Sequence, residues 1–293
     1  MAPIACYYPL QAWRKRGGIV FSVPGEKYGE FEVPCGKCIG CKAVRGKEWA
    51  ARCMHEAQMH EMSSYVTLTY EDDDQVSLFY GHYQEFMQRM LAFCGWVRFF
   101  MCGEYGGTTR RPHYHAILFG VHFEDRIPWK KTGNDAMLFK SEVLDALWGH
   151  GQCLIGNVTF ETAEYIGRYA VKKITGDPAE EHYTVITRYG EMVQIEPEFA
   201  HMSLKPGIGA TWFEKYKDEV MNWDEIVVKG RKIKPPRYYD KILAKSEGFR
   251  WEEIQYERYL ESLRWRDDNT PERLKVRETI QQQKLANKKR EFL

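Results

Sequence analysis

The chain lacks any long hydrophobic run. No segment approaches the ~20 apolar residues that span a bilayer, so a helical membrane protein is excluded and no membrane partner is expected. The first 30 residues contain Arg14, Lys15 and Arg16 but no apolar leader core. Eight cysteines without an export signal point to a reducing cytoplasm, with thiols free or metal-bound rather than paired. No Gly-x-x-x-x-Gly-Lys-Ser/Thr phosphate loop occurs, so a motor built on that loop is not expected. No internal repeat is visible, which removes solenoids and propellers. Charge of one sign is not in excess either: 42 Lys and Arg face 41 Asp and Glu, a net charge of +1. Overall charge therefore gives no argument for nucleic acid.

The distribution of charge is more informative. Residues 1–53 carry nine Lys/Arg against four Glu, and Lys229 to Lys245 carries seven against one Asp. Lys284, Lys288, Lys289 and Arg290 make the end basic. Basic arms around a more neutral middle suit phosphate contact at the ends, although solvated charged faces account for many such runs. The 18 Tyr and 9 Trp supply stacking platforms for bases, a role that competes with ordinary core packing. A length of 293 residues with 44% hydrophobic content supports one large domain or two small ones.

Residues 1–60 read as irregular, then helical from Lys42 to about Met62. Ser64 to Tyr70, rich in β-branched and aromatic residues, reads as a strand. Tyr83, Phe86, Met87, Met90 and Leu91 form a helical stripe between Tyr80 and Phe93. Trp96 to Glu104 and Pro112 to Phe119 read as an antiparallel hairpin around the turn Tyr105–Arg110. Ser141 to Gly149 is a predicted short helix, Gly151 to Phe160 a strand, and Glu161 to Ile174 a helix ended by Gly176-Asp177-Pro178. Beyond it, 177–210 reads as loop-rich, 211–222 as helix, 234–239 as extended, and 250–293 as charged helix.

The histidine strand carries the chemistry. In Arg111-Pro112-His113-Tyr114-His115, the two histidines at i and i+2 share one strand face, with Tyr114 on the other. Glu104, nine residues before His113, is brought beside them by the predicted hairpin. Glu104, His113 and His115 then make an imidazole–carboxylate set suited to Mn²⁺ or Mg²⁺, which also admits Zn²⁺, Co²⁺ or Ni²⁺. An ion held there would polarise a phosphate as a Lewis acid. The same spacing also occurs with one surface imidazole and one packed one.

Tyr165 and Tyr169 stand four apart on the predicted helix, on one face, with Lys172 three further on. Two aromatics at this spacing commonly form a packing stripe. Beside a metal they can be nucleophiles: a phenolic oxygen attacks a backbone phosphate, the 3′-hydroxyl leaves, and a 5′-phosphotyrosine conserves the bond for later joining. A free tyrosine has a pKa near ~10, so the cation and Lys172 would have to stabilise the phenolate. Tyr169, in a Tyr-x-x-Lys frame, is the stronger candidate and Tyr165 the second.

Cys35, Cys38 and Cys41 recur every three residues, with Cys53 and His55 downstream. Three thiolates completed by Cys53 or His55 would bind a structural Zn²⁺. The spacing differs from zinc ribbons with two separated pairs, and position 45 is Arg where an iron–sulfur run has its fourth cysteine. A tight turn with free thiols is the alternative.

Three segments together carry a resemblance: the strand Tyr65–Tyr70, the strand Arg111–His115 and the helix segment Tyr165–Lys173. They resemble the three motifs of HUH-type rolling-circle replication initiators, and in particular those of gokushoviruses, small single-stranded DNA phages. Pro34–Lys42 looks like that family's amino-terminal element, and Gly103–Gly106 and Pro206–Gly209 also fit. The resemblance, over roughly 30–240, implies an α+β fold with an HUH-type central antiparallel sheet of about five strands and helices packed against it. It implies a nickase and ligase acting on single-stranded DNA at the phage origin, with metal ligands His113 and His115 and nucleophiles Tyr165 and Tyr169. It implies location in the cytoplasm of the host bacterium, dependent on a separate host helicase and replication machinery. The division expected is a basic, cysteine-containing element over 1–60, the endonuclease core over 61–176, and a C-terminal extension over 177–293 with basic segments and no helicase domain. Relaxases and single-strand transposases share this chemistry, but relaxases usually hold three histidines and nucleophiles near the amino terminus. A zinc-stabilised single-strand-binding protein is the non-enzymatic alternative.

Overall fold

A computed structural model of the chain describes residues 6–15, 18–22, 30–72, 74–107, 109–133, 135–169 and 178–287. Among these residues, two compact units form: one combines the residues up to Arg45 with those from Asp240 onward, and the other spans Gly46–Tyr239.

The Gly46–Tyr239 unit is built on an antiparallel sheet of seven strands. Their order is Phe199–Met202, Arg98–Tyr105, Pro112–Phe119, Ser63–Thr69, Cys153–Asn157, Met137–Lys140 and Ile127–Lys131. The first five correspond to the expected core of about five. The last two form a hairpin that joins it through the single pair Phe139↔Ile155. Every residue of Pro112–Phe119 is buried, because helices cover both faces of the sheet.

Strand alternation divides the core between those faces. Tyr114, Ala116 and Leu118 join Tyr83, Phe86 and Met90 of the helix Tyr80–Cys94, and Leu144 and Trp148 of the helix Glu142–Trp148. Ile117 and Phe119 join Ala163 and Ile166 of the helix Phe160–Tyr169, and Ala50 and Cys53 of the helix Ile39–Ala57. Each large apolar side chain so buried contributes roughly 1.5–3 kcal/mol. His113 and His115 are in phase with Ile117 and Phe119, so they face the layer containing the Phe160–Tyr169 helix. The short helix Glu142–Trp148 is closed at both ends: Ser141 Oγ accepts from the Leu144 N–H, and Gly149 takes the left-handed conformation at φ 73°.

The hairpin read around Tyr105–Arg110 forms in the predicted register sense, and the helices over 80–93, 141–149 and 211–222 are present. The loop-rich reading of 177–210 missed Phe199–Met202, the strand edging Arg98–Tyr105. Four half-exposed residues are too few for an alternation to register. Lys234–Tyr239 is extended only at its start. Pro235 and Pro236 introduce the helix Arg237–Ser246, since proline is tolerated where a helix begins. Residues 10–33, read as irregular, hold three short strands, Leu10–Lys15, Gly18–Val20 and Glu30–Val33, with Leu10–Lys15 central. The charged tail forms two helices, Gly248–Leu263 and Pro271–Asn287, interrupted at Arg266–Asn269. No helix among the described residues is long and apolar enough to cross a membrane.

Candidate active site

The hairpin register sets Glu104 directly opposite His113, and Cys102 opposite His115. The Glu104 carboxylate is thereby delivered between the two imidazoles. Its Oε1 lies 2.9 Å from His113 Nε2 and 2.9 Å from His115 Nε2. All three side chains are buried. The predicted ligand set Glu104, His113 and His115 is therefore brought together, with one potential ligand atom from each within 4.8 Å of the others.

The tautomers follow from the other ring nitrogens. His113 Nδ1 is 3.1 Å from the Arg111 carbonyl, which can only accept, so this nitrogen donates. His115 Nδ1 is 2.8 Å from the Tyr65 hydroxyl and 2.9 Å from Thr67 Oγ1. With a proton on Nδ1 in each ring, both Nε2 lone pairs point at the carboxylate. Burial pushes His115 down, toward its neutral form, against the opposing pull of Glu104. Burial alone would raise the Glu104 carboxyl, but hydrogen bonds and charge from His113 and His115 outweigh it and hold the group well below the usual carboxylate range.

This arrangement fits a cation. His115 Nε2 and Glu104 Oε2 are buried with no hydrogen-bond partner. His115 Nε2 is close to Oε1 in distance, yet the two do not make a hydrogen bond. Electron-rich atoms packed this closely need a positive charge among them. Neighbouring donors on an octahedral ion with bonds of about 2.1 Å stand about 3.0 Å apart, close to the 2.9 Å separations here.

The helix Phe160–Tyr169 brings a phenol to the same place. The Tyr165 hydroxyl donates to Glu104 Oε1 at 2.7 Å, and its ring meets His115 edge-on at 5.1 Å between centroids. Residues 61 apart in sequence thus share one oxygen. Gly167 permits the helix to seat closely: a Cβ there would stand 2.9 Å from the Gly46 carbonyl oxygen and 2.9 Å from Trp49 Cβ. Tyr169 ends this helix, four residues on and hence on the same backbone face as Tyr165. The Tyr169 side chain and all of Lys172 lie outside the described residues.

Tyr65 and Thr67, which orient His115, carried no role in the reading of the sequence. Their signal was available: they alternate on the strand Ser63–Thr69, whose register sets Thr67 opposite His115. The expected fourth partner of the cysteine run needs correction. Cys53 is buried in the apolar cluster with Ala50, Tyr65 and Phe100, and His55 bonds the Tyr239 hydroxyl at 2.7 Å and stacks on Trp212. Both are committed to the core by their phase on the helix Ile39–Ala57. Cys6 instead joins Cys35, Cys38 and Cys41, the four sulfurs lying within 4.8 Å of one another. Much of the basic run from Lys229 is paired internally: Lys229 with Glu161, Lys232 with Glu225, Lys234 with Asp224 and Arg237 with Glu48.

Comparison with known proteins agrees with this geometry. The family of replication-associated proteins of the ORF2 type matches residues 63–174, the span from the first central strand through the tyrosine helix. The "Replication-associated protein VP4" of Bdellovibrio phage phiMH2K is 30% identical over 264 residues, covering 85% of this chain and 80% of that protein. The "Replication-associated protein ORF2" of Spiroplasma virus 4 is 25% identical over 291 residues, covering 89% of this chain and 86% of that one. The "Replication-associated protein ORF4" of Chlamydia phage 1 is 27% identical, covering 75% of this chain and 55% of that one. No solved structure matches. The chain belongs to the phage replication-associated proteins, as a replication initiator of the gokushovirus type.

Proposed function

We propose that this initiator is an HUH endonuclease that nicks and rejoins single-stranded DNA at the phage origin through a 5′-phosphotyrosine intermediate. The observation that carries the reading is the Tyr165 hydroxyl 2.7 Å from Glu104 Oε1, the same oxygen that both histidines face. A divalent cation, Mn²⁺ or Mg²⁺, held by Glu104, His113 and His115, would supply Lewis-acid polarisation of the scissile phosphate. The chain's own residues do the rest. Tyr165 presents its oxygen at the site, with its proton already directed to a carboxylate kept ionised. Attack forms a bond from Tyr Oη to phosphorus and breaks the bond to the 3′-oxygen, which leaves with a proton. A later attack by a 3′-hydroxyl reverses the exchange and frees the tyrosine. Tyr169, on the same helix face, serves as the second nucleophile, so one tyrosine can hold a strand while the other cuts; Lys172 stabilises the phenolate. The partners are then single-stranded origin DNA and a host helicase, in the cytoplasm of the host bacterium.

The test is a 3′-labelled single-stranded origin oligonucleotide incubated with protein and Mn²⁺. A labelled protein adduct that survives denaturant is expected. EDTA should abolish it, His113→Ala or His115→Ala should abolish it while leaving most DNA affinity, and Tyr165→Phe with Tyr169→Phe should leave none. A salt-sensitive mobility shift without an adduct would mean a binding protein. An adduct in the double tyrosine variant would mean another nucleophile.

A further inference from the structure

We propose that Cys6, Cys35, Cys38 and Cys41 bind a single Zn²⁺ through four thiolates, and that this ion is the structural staple of the unit built from the two ends of the chain. The proposal is independent of the nicking chemistry.

The four sulfurs come from separate segments. Cys6 precedes the strand Leu10–Lys15, Cys35 follows the strand Glu30–Val33, Cys38 abuts the helix Ile39–Ala57, and Cys41 lies in its first turn. Their mutual approach within 4.8 Å therefore closes the three-stranded sheet onto the helix start. None of the four is in a disulfide. A tetrahedral zinc with bonds of about 2.3 Å sets its sulfurs about 3.8 Å apart. A disulfide would draw two sulfurs to about 2.05 Å and leave the others out. A four-iron cluster would hold the sulfurs wider apart, with a cube of iron and sulfide between them.

The backbone prepares these sulfurs as anions. The Cys35 N–H donates to Cys6 Sγ at 3.2 Å, and the N–H groups of Cys38 and Cys41 donate to Cys35 and Cys38 Sγ at 3.4 Å each. The Tyr7 N–H adds a second donor to Cys38 Sγ at 3.4 Å. Gly36 makes the tight turn between the first two ligands at φ 75°, where a side chain is disfavoured. Lys37 and Lys42 flank the run and offset the net negative charge of a four-thiolate zinc centre.

The unit also needs such a staple. Its buried apolar side chains besides Cys6, among the described residues, are Tyr7, Ala12, Leu243, Ile254 and Leu274. That is a thin core for two segments far apart in sequence, the situation in which a structural metal commonly replaces hydrophobic burial. Binding displaces the four thiol protons, so loading weakens as pH falls.

The experiment measures metal content of the full-length protein, purified without added metal in reducing buffer and compared with Cys6→Ser and Cys53→Ser. The expected result is about one zinc per chain in the wild type, retained in Cys53→Ser and in His113→Ala/His115→Ala, and lost in Cys6→Ser. Because Cys6→Ser can impair folding, the wild-type protein is also loaded with Co²⁺. Tetrahedral d–d bands with strong thiolate-to-cobalt charge transfer of four-sulfur intensity are expected, displaced by Zn²⁺. Absence of zinc after reconstitution, three-sulfur intensity, iron with acid-labile sulfide, or loss of zinc in Cys53→Ser but not Cys6→Ser would each overturn the assignment.

Discussion

Gly167→Ala isolates how the nucleophile is positioned. In most helices this change stabilises, because alanine exceeds glycine in helix propensity by about 1 kcal/mol. Here the added methyl would meet the Gly46 carbonyl oxygen and Trp49 Cβ at 2.9 Å each, and Gly46 Cα at 3.3 Å. These are backbone or near-backbone atoms, so no rotamer change relieves the contact. Ordinary contact begins near 3.4 Å, so the helices must part by about half an ångström. Tyr165 is two residues away and moves with the helix, which stretches its 2.7 Å hydrogen bond to Glu104. A misplacement of about 1 Å can cost ~100-fold in rate, so about half that displacement should slow single-turnover adduct formation roughly tenfold. Overpacking of about 1–3 kcal/mol against the propensity gain leaves a stability loss of at most about 2 kcal/mol. Mn²⁺ affinity should be unchanged, because the ligands sit on strands. Gly248→Ala, where a methyl meets nothing within 4 Å, is the control. Wild-type adduct rates in Gly167→Ala would refute the view that this close helix seat sets the nucleophile.

Tyr65→Phe removes one of the two oxygens facing His115 Nδ1. It should weaken Mn²⁺ binding about tenfold by calorimetry, and adding Thr67→Val should bring the loss toward ~100-fold. Unchanged affinity in the double variant would show that these oxygens do not orient the ligand. Glu56→Ala strips Arg98 of its buried partner and the Gly209 N–H of its acceptor, so urea denaturation should report a loss of about 3–5 kcal/mol. A loss below about 1 kcal/mol would mean that water or another group replaces the carboxylate. Burial pushes His55 down to about 4. Between its ordinary pKa of about 6.5 and that value the unfolded chain binds the proton and the folded one does not. His55 should therefore cost stability as pH falls across this window, up to about 3 kcal/mol, with no further change below it. Urea midpoints measured from pH 7 to 4.5 should fall less steeply in His55→Gln; parallel profiles would refute the assignment.

The sequence by itself determined the parts of the site whose geometry is local. A two-residue period puts His113 and His115 on one strand face, a short turn returns Glu104 opposite His113, and a four-residue step aligns the backbone positions of Tyr165 and Tyr169. Each depends on backbone repeat over a few residues, which residue order states directly. Tertiary structure decided what lies across the sheet or far along the chain. It chose Cys6 over Cys53 as the fourth sulfur, set Tyr65 and Thr67 against His115, paired Phe199–Met202 with the sheet edge, and matched much of the basic run to carboxylates. It also brought the Tyr165 hydroxyl to Glu104, through a helix crossing that two glycines allow. These contacts depend on which surfaces pack together, a property of the whole folded chain that no window of a few residues contains.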